Sequence, residues 1–115
     1  MAVIAEASGT QTAVIGTEHT LRDVAAAGTY TLHVDAVNMV AGDVVELRAY
    51  QMVLTAGTRR VAYKKIYYGA QPTDDLIKIS VPISNELTDA GALRFTLKQT
   101  FGTGRAFPWK VLKYA

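Results

Sequence analysis

Apolar and polar residues alternate with a period of two along most of the chain. Tyr30, Leu32 and Val34 alternate with polar neighbours, which puts one apolar face and one polar face on the same extended segment. This pattern is typical of a half-buried β-strand. The same reasoning predicts strands over 44–54, 60–68, 77–83, 93–98 and 107–112, with weaker candidates at 11–15 and 19–24. The chain is therefore expected to contain about eight short strands.

Glycine and proline positions predict how these strands connect. Gly57 lies between the segments 44–54 and 60–68, so these two segments are expected to form one long hairpin that turns at 56–58. The segment 84–91 is the only one that invites a helical turn, and it is too short for an ordinary helix. Regularly spaced strands with almost no helix favour two packed sheets. We predict an all-β fold: an antiparallel, jelly-roll-like β-sandwich.

Two segments are expected to supply core residues. The apolar positions of the segment 77–83 are Ile77, Ile79, Val81 and Ile83. Their alternation predicts the clearest core-facing strand of the chain, while Pro82 lacks a backbone donor and should lie at a sheet edge or strand end. Trp109 alternates with Phe107 and Val111, so its side chain is also expected to face the core.

The first residues of the chain differ from the rest. Residues 1–12 show no clear alternation followed by a turn, and they are predicted to form an N-terminal arm. Residues 13–115 then form a single β-sandwich domain, since 115 residues suit one domain. The N-terminus lacks a basic segment followed by an apolar stretch, which favours synthesis in a cytoplasm, and no apolar run is long enough for a membrane span.

Candidate catalytic and ligand-binding groups are sparse. The chain contains no cysteine, which excludes thiol catalysis, disulfides and thiolate zinc sites. His33 and Asp35 share a strand face but have no partner nucleophile, and Asp74 with Asp75 lacks the spacing of a calcium loop. The segment 102–105 resembles a phosphate loop, but a strand follows it, so a hairpin turn is favoured. We expect neither enzymatic activity nor a cofactor.

The segment 59–68 is the most distinctive stretch of the chain. Basic residues alternate there with tyrosines, a pattern that occurs both on protein interfaces and on surfaces that stack nucleic-acid bases. The net charge is only +2, much milder than that of a dedicated nucleic-acid binder, so protein contacts are favoured. Residues of the neighbouring strand, such as Glu46 and Arg48, are expected to pair with it across the hairpin.

The segments 42–48, 79–83 and 93–111 resemble small head proteins of tailed bacteriophages, and the general similarity extends over 17–115. The resemblance implies a non-enzymatic decoration, or cement, protein that is made in the host cytoplasm and binds the outer capsid surface of the virion. Its partners would be the major capsid protein and further copies of itself, as a dimer or a trimer. The residues expected to make these protein contacts are Val3, Ile4, Arg59, Arg60, Tyr63, Lys64, Lys65, Tyr67 and Tyr68.

Two other functions are compatible with the pattern. A carbohydrate-binding β-sandwich would need an exposed aromatic platform, for which the candidates are Tyr50, Tyr67, Tyr68 and Trp109. A binder of single-stranded nucleic acid would use the basic residues Arg59, Arg60, Lys64 and Lys65. The arrangement of these side chains in space distinguishes the three hypotheses.

Overall fold

The computed structural model describes residues 2–114, and within them it contains nine β-strands and no helix that could cross a membrane. The strands are β1 (Val3–Thr12), β2 (Glu18–Val24), β3 (Gly28–Asp35), β4 (Val44–Gln51), β5 (Arg60–Tyr68), β6 (Ile77–Ile79), β7 (Ile83–Asn85), β8 (Leu93–Phe101) and β9 (Ala106–Tyr114). The predicted all-β class is confirmed. The segment 84–91, whose sequence invites a helical turn, contains the end of β7 and a loop.

The strands form two antiparallel sheets. Sheet A has the order β1-β9-β3-β6, with β7 also paired to β3, and sheet B has the order β2-β8-β4-β5. Because β6 and β7 pair with successive parts of β3, they act as one broken strand, and each sheet then has four strands. The predicted hairpin of β4 and β5 lies within sheet B, whereas the other connections cross between the sheets. The predicted antiparallel β-sandwich is confirmed, and the strand order, which the sequence does not predict, is that of a jelly roll.

One apolar layer between the two sheets forms the core. Sheet A contributes Tyr30 and Phe107, and sheet B contributes Phe95 and Leu97, all without measurable exposure. Burial of each such side chain stabilises the fold by about 1.5–3 kcal/mol. Trp109 is half-buried and packs against this layer, in agreement with its predicted direction.

The broken strand β6–β7 faces opposite to the prediction along most of its length. Ile77 and Ile79 are 51% and 54% exposed, whereas Lys78 and Ser80 are each only 5% exposed. Ser80 causes the break: its backbone N–H donates to the Leu32 carbonyl, and its Oγ accepts from the Leu32 N–H, both at 2.9 Å. A side-chain oxygen thus replaces a backbone carbonyl in the ladder.

The chain leaves the sheet at the break and returns one residue out of step. Val81 is 53% exposed, while Ile83 in β7 is 7% exposed and faces the core as predicted. The inward Lys78 is stabilised because its ammonium lies 5.0 Å from the centre of the Tyr67 ring and donates to the Asp75 carbonyl at 2.5 Å. Pro82 lies in the break at a sheet edge, as expected.

The N-terminal segment also differs from its prediction. Residues 3–12, predicted as an arm outside the sandwich, form β1, an edge strand of sheet A that pairs with β9 along its length. An extra residue, Glu6, bulges from β1, and its carboxylate pairs with Arg22 of β2 in the other sheet. The weak candidate strand at 11–15 is absent, because β1 ends at Thr12 and residues 14–16 lie in the turn to β2.

A second correction concerns 102–105, for which a hairpin turn was predicted. β8 belongs to sheet B and β9 to sheet A, so this turn joins the two sheets instead of two paired strands. A hairpin within one sheet and a turn between two sheets have the same local sequence pattern of strand, turn and strand. The pattern therefore does not specify whether the two flanking strands are hydrogen-bonded to each other. The connection therefore brings two sheets together at one end of the sandwich.

The reversed orientation of β6 has a direct consequence for stability. Replacing Ile79 by Ala removes a largely exposed side chain and should lower the free energy of unfolding by less than about 1 kcal/mol, whereas the matched change Ile83→Ala should cost about 2–4 kcal/mol. Urea denaturation followed by circular dichroism measures both. Equal costs for the two variants would contradict this orientation of β6.

Candidate functional site

Four connections between the sheets meet at one end of the sandwich, which we call the loop end. They are the segments 13–17, 36–43, 69–76 and 102–105. Backbone hydrogen bonds join them, since the N–H of Ala13 donates to the Arg105 carbonyl at 2.8 Å and the N–H of Gly69 donates to the Asp43 carbonyl at 2.7 Å. These bonds join the segments in two pairs, 13–17 with 102–105 and 36–43 with 69–76, and the ion pair between Asp43 and Arg105 links the two pairs.

Asp43 is the central residue of the loop end. Its side chain is 1% exposed, and Oδ2 accepts from Nε of Arg105 at 2.9 Å and from the N–H of Val40 at 3.0 Å. Burial opposes ionisation of this carboxyl, but the hydrogen bonds from Arg105 and Val40 outweigh it and lower the pKa of Asp43. The carboxylate therefore holds the segments 36–43 and 102–105 together in its charged form.

Gly102 allows the segments 36–43 and 102–105 to approach each other closely. Its φ of +93° lies in the left-handed region, and a Cβ built there would stand 2.0 Å from Oδ1 of Asp43 and 3.0 Å from its Cα. No side chain fits this position unless the backbone moves. The glycine is therefore required by the contact between the two segments.

Gln99 orders the turn between β8 and β9 from the interior of the sandwich. Its side chain is fully buried, and its amide nitrogen donates to the carbonyls of Phe101 at 2.9 Å and Thr103 at 2.8 Å. Its Oε1 accepts from the N–H of Arg105 at 3.0 Å, and its backbone carbonyl accepts from the N–H of Gly16 at 2.9 Å. All polar groups of a buried amide are thus used to order the β8–β9 and β1–β2 turns.

Large apolar side chains project from this ordered end into solvent. We define the loop-end patch as Val14, Ile15, Val37, Val40, Tyr68 and Phe101, each of which is at least 41% exposed. Tyr68 and Phe101 both pair with Val44, so these three residues form an apolar row across three strands of sheet B. Exposed apolar surface of this kind is a feature of interaction sites, so the loop-end patch is the candidate binding surface of the chain.

The nine residues predicted as an interface are distributed over several surfaces. Val3 and Ile4 are about half-exposed on β1, far along the chain from the β5 residues, while Tyr63 and Tyr67 pack against the core. Of the nine residues, Tyr68 alone belongs to the loop-end patch. Arg60 is exposed at the start of β5.

The basic residues of β5 are also separated from one another. Lys64 lies on the outer face of sheet B, where its ammonium is 3.5 Å from Glu46 as the sequence suggested, whereas Lys65 pairs with Leu47 on the opposite face. Arg59 donates to the Gly91 carbonyl at 3.1 Å. The tyrosine-rich strand thus supports the fold with one face and the ion pairs of sheet B with the other.

Four members of the loop-end patch, Val14, Ile15, Val37 and Val40, were missed because they lie in connections between strands, where no periodicity identifies them. Phe101 was missed because it is the last residue of β8, beyond the predicted end of that strand at 98. A signal is nevertheless present: Val14 and Ile15 directly precede Gly16, and Phe101 directly precedes Gly102. A large apolar residue beside a turn glycine lies at the end of a strand or beyond it. Such residues must either fold back over the core or remain exposed, and here they remain exposed.

A polar depression of about 470 Å³ lies on the outer face of sheet B. It is lined by Glu18, Thr20, Tyr50, Arg59, Arg94 and Thr96. Burial opposes ionisation of Glu18, but hydrogen bonds from Tyr50 at 2.5 Å and Thr96 at 2.7 Å lower the pKa of its carboxyl. Arg94 binds both carboxylate oxygens of Asp23, at 2.6 and 3.1 Å. These groups pair with one another across the neighbouring strands β2, β8 and β4 of sheet B.

His33 and Asp35, the two residues considered as a catalytic pair, make contacts with groups two residues away in the sequence. His33 Nε2 lies 2.9 Å from Oγ1 of Thr31, and burial together with the charge of Lys110 lowers the pKa of the imidazole. Oδ1 of Asp35 accepts from the N–H of Val37 at 3.0 Å, as in a turn. Within residues 2–114 no group of three acidic or histidine side chains is arranged to hold a metal ion.

The buried carboxylate of the loop end leads to a prediction on acid stability. Replacement of Asp43 by Asn should lower the free energy of unfolding by about 2–3 kcal/mol near pH 7, because Arg105 loses its charged partner, while the exposed control Asp74→Asn should change it by less than about 0.5 kcal/mol.

The pH dependence tests the same contact. The folded-state pKa of Asp43 is lower than its ordinary value of 3.8, so its stabilisation is complete above about pH 3.8 and is lost as the pH falls through the folded-state pKa. The difference in urea midpoint between the native chain and Asp43→Asn should therefore shrink on acidification. A difference that grew towards low pH would contradict the charged state assigned to Asp43.

Comparison with known proteins finds no relative of this chain. The chain matches no protein-family model, no curated protein and no solved structure. The functional conclusion therefore depends on the surfaces described above.

Proposed function

We propose that this chain is a non-enzymatic structural protein of a tailed-bacteriophage virion, which binds the outer capsid surface and stabilises the shell. The observation that carries the proposal is the loop-end patch, an apolar surface presented on loops that buried polar groups hold in place. The major capsid protein is the proposed partner, and the capsid surface is the proposed location.

A preformed apolar surface suits this task because it loses little conformational freedom on binding. Asp43 and Gln99 order the loops before any partner is present, so the entropic cost of contact is small. Each square ångström of apolar surface removed from water contributes roughly 25 cal/mol. Many copies, each with a modest contact, then stabilise the assembled shell by mass action, since they bind the assembled state and not the free subunits.

The fold and the sequence pattern support the viral context by analogy. Jelly-roll sandwiches are used in viral capsid domains and in lectins. The resemblance of 42–48, 79–83 and 93–111 to phage head proteins favours the first of these uses. Because one fold serves several functions, the proposed function depends on the binding surface and not on the fold alone.

The alternative functions receive less support from the side-chain arrangement. A carbohydrate-binding platform would require Tyr50, Tyr67, Tyr68 and Trp109 on one exposed surface. Instead Tyr67 and Trp109 pack against the core, Tyr50 is bound to Glu18, and Tyr68 lies at the loop end. A nucleic-acid binder would align its basic residues, but Lys64 and Lys65 lie on opposite faces of β5.

The test is co-sedimentation of the purified chain with capsids of the phage that encodes it, with electron microscopy of the added surface density. We expect saturable binding by the native chain. The double variant Val40→Ser, Phe101→Ser should bind at least about tenfold more weakly, because loss of two buried apolar contacts costs more than about 1.4 kcal/mol.

The control is the double variant Val53→Ser, Leu54→Ser. These two side chains are 79% and 72% exposed in the β4–β5 loop at the opposite end of the sandwich, so their loss removes equivalent apolar surface without touching the loop-end patch. The control should bind like the native chain. Equal binding by both double variants would reject the patch, and a native chain that stays in the supernatant but binds a glycan array would favour the carbohydrate-binding function.

A further inference from the structure

The outer edge of β1 is a free edge of sheet A, on the side opposite β6. The direction of its backbone N–H and C=O groups follows from the pairing of β1 with β9. The N–H of Ala13 donates to the Arg105 carbonyl, which directs the backbone groups of Ala13 towards β9. Gln11, Gly9 and Ala7 follow at intervals of two in the same register. Because hydrogen-bonding direction alternates along a strand, the N–H and C=O groups of Ser8, Thr10 and Thr12 point away from sheet A.

The other three sheet edges carry features that prevent a further strand from adding. β2 has three charged residues among its seven, Glu18, Arg22 and Asp23, and it bulges at Leu21. β5 carries Arg60, Lys64 and Lys65. The edge formed by β6 and β7 contains the inward-pointing Lys78 and is interrupted at Pro82. Charges, bulges, inward lysines and proline are the usual means of blocking strand addition.

β1 has none of these features over residues 7–12. This segment reads Ala-Ser-Gly-Thr-Gln-Thr, without a charge or a proline, and its side chains are small or polar. The bulge of β1 is at Glu6, outside the segment, and the charge of Glu6 is paired with Arg22. Three edges are thus protected, and one is left open over six consecutive residues.

The open segment is complementary to itself when two copies run antiparallel. With Thr10 of each chain on the two-fold axis, Ser8 faces Thr12 of the partner subunit, and Gly9 faces Gln11 of the partner subunit. This register uses the three residues whose backbone groups point away from sheet A, and it forms about six intermolecular backbone hydrogen bonds. The Thr12 carbonyl, which accepts from Nε2 of Gln11 at 3.0 Å, has a second lone pair for the partner subunit. It places no like charges together, and it aligns β-branched threonines across the new strand pair.

We propose that two copies of this chain associate through β1 in this register, so that the two A sheets become one continuous sheet across a two-fold axis. An isologous contact of this kind closes the assembly at two subunits, and it pairs the one edge left unprotected. A dimer of this form does not depend on the proposed capsid function, because its contact residues are separate from the loop-end patch.

Disulfide trapping tests both the contact and its register, since the native chain contains no cysteine. In a hydrogen-bonded antiparallel pair the facing Cα atoms are about 5.5 Å apart, within the range that a disulfide spans. Thr10→Cys should therefore form a covalent dimer of twice the 12.4 kDa chain mass under mild oxidation. Mass spectrometry and a non-reducing gel measure the product.

Two neighbouring positions serve as controls for the register. Thr12→Cys alone should not cross-link, because the two equivalent positions are offset by four residues, about 14 Å along the strands. A mixture of Ser8→Cys chains and Thr12→Cys chains should cross-link into the heterodimer, since these positions face each other. Cross-linking of Thr12→Cys with itself, or equal yields at all three positions, would overturn the register.

A non-covalent variant tests the association itself. Thr10→Pro removes an N–H that points away from β9, so the chain should keep its fold while losing two intermolecular hydrogen bonds. Sedimentation equilibrium should show dimers for the native chain and for the control Thr10→Val, and monomers for Thr10→Pro, with unchanged circular dichroism. A native chain that remains monomeric up to about 0.1 mM, where even weak specific contacts are populated, would reject the dimer.

Discussion

A single apolar layer, closed between two four-stranded sheets, is the constraint on which the rest of the structure depends. Tyr30 and Phe107 from one sheet meet Phe95 and Leu97 from the other, and no second core exists among the described residues to support the fold if this layer is disturbed. With only one layer, the sides and ends of the sandwich lie close to solvent. Several polar contacts, such as Glu6 with Arg22 and Lys78 with Asp75, lie where this layer would otherwise be open.

The two open sides are closed by long side chains that are partly apolar and partly charged. On one side Glu6 of β1 reaches Arg22 of β2, and both strands bulge near this pair. On the other side the buried Lys78 side chain places its ammonium 5.0 Å from the centre of the Tyr67 ring and 3.3 Å from the Asp75 carboxylate. A lysine at such a position covers apolar surface and keeps its charge solvated by polar groups.

Much of the fold was predictable because it follows from the period of two. The strands β3, β4, β5, β8 and β9 were located correctly, since each has one face in the core layer. β6 was placed correctly but with the wrong face inward. Its Ile77 and Ile79 have the more apolar side chains, yet Ser80 pairs with Leu32 through its hydroxyl, and this hydrogen bond fixes the direction of the strand. A side-chain contact with a distant strand leaves no trace in local periodicity.

Long-range pairing also explains why the candidate site was only partly predicted. The segment 1–12 lacks the alternation of a core strand because β1 is an edge strand, largely exposed on both faces, so pattern alone suggested an arm. Tyr68 was predicted as a contact residue, whereas Phe101 was not, although both pair with Val44 from its two sides and lie in one row across sheet B. The grouping of turn residues into the loop-end patch requires Asp43 and Gln99, whose partners are distant in sequence.

The two proposed contact surfaces are compatible because the fold separates them. The loop-end patch lies where strands of both sheets terminate, whereas the β1 edge runs along one side of sheet A. Strand addition at β1 leaves Phe101 and Tyr68 of both copies uncovered, since these belong to sheet B. Because the two β1 strands of the dimer run antiparallel, the loop end that follows Thr12 points in opposite directions in the two copies. The two patches therefore lie at opposite ends of a two-fold dimer, and each remains free to bind its own partner surface.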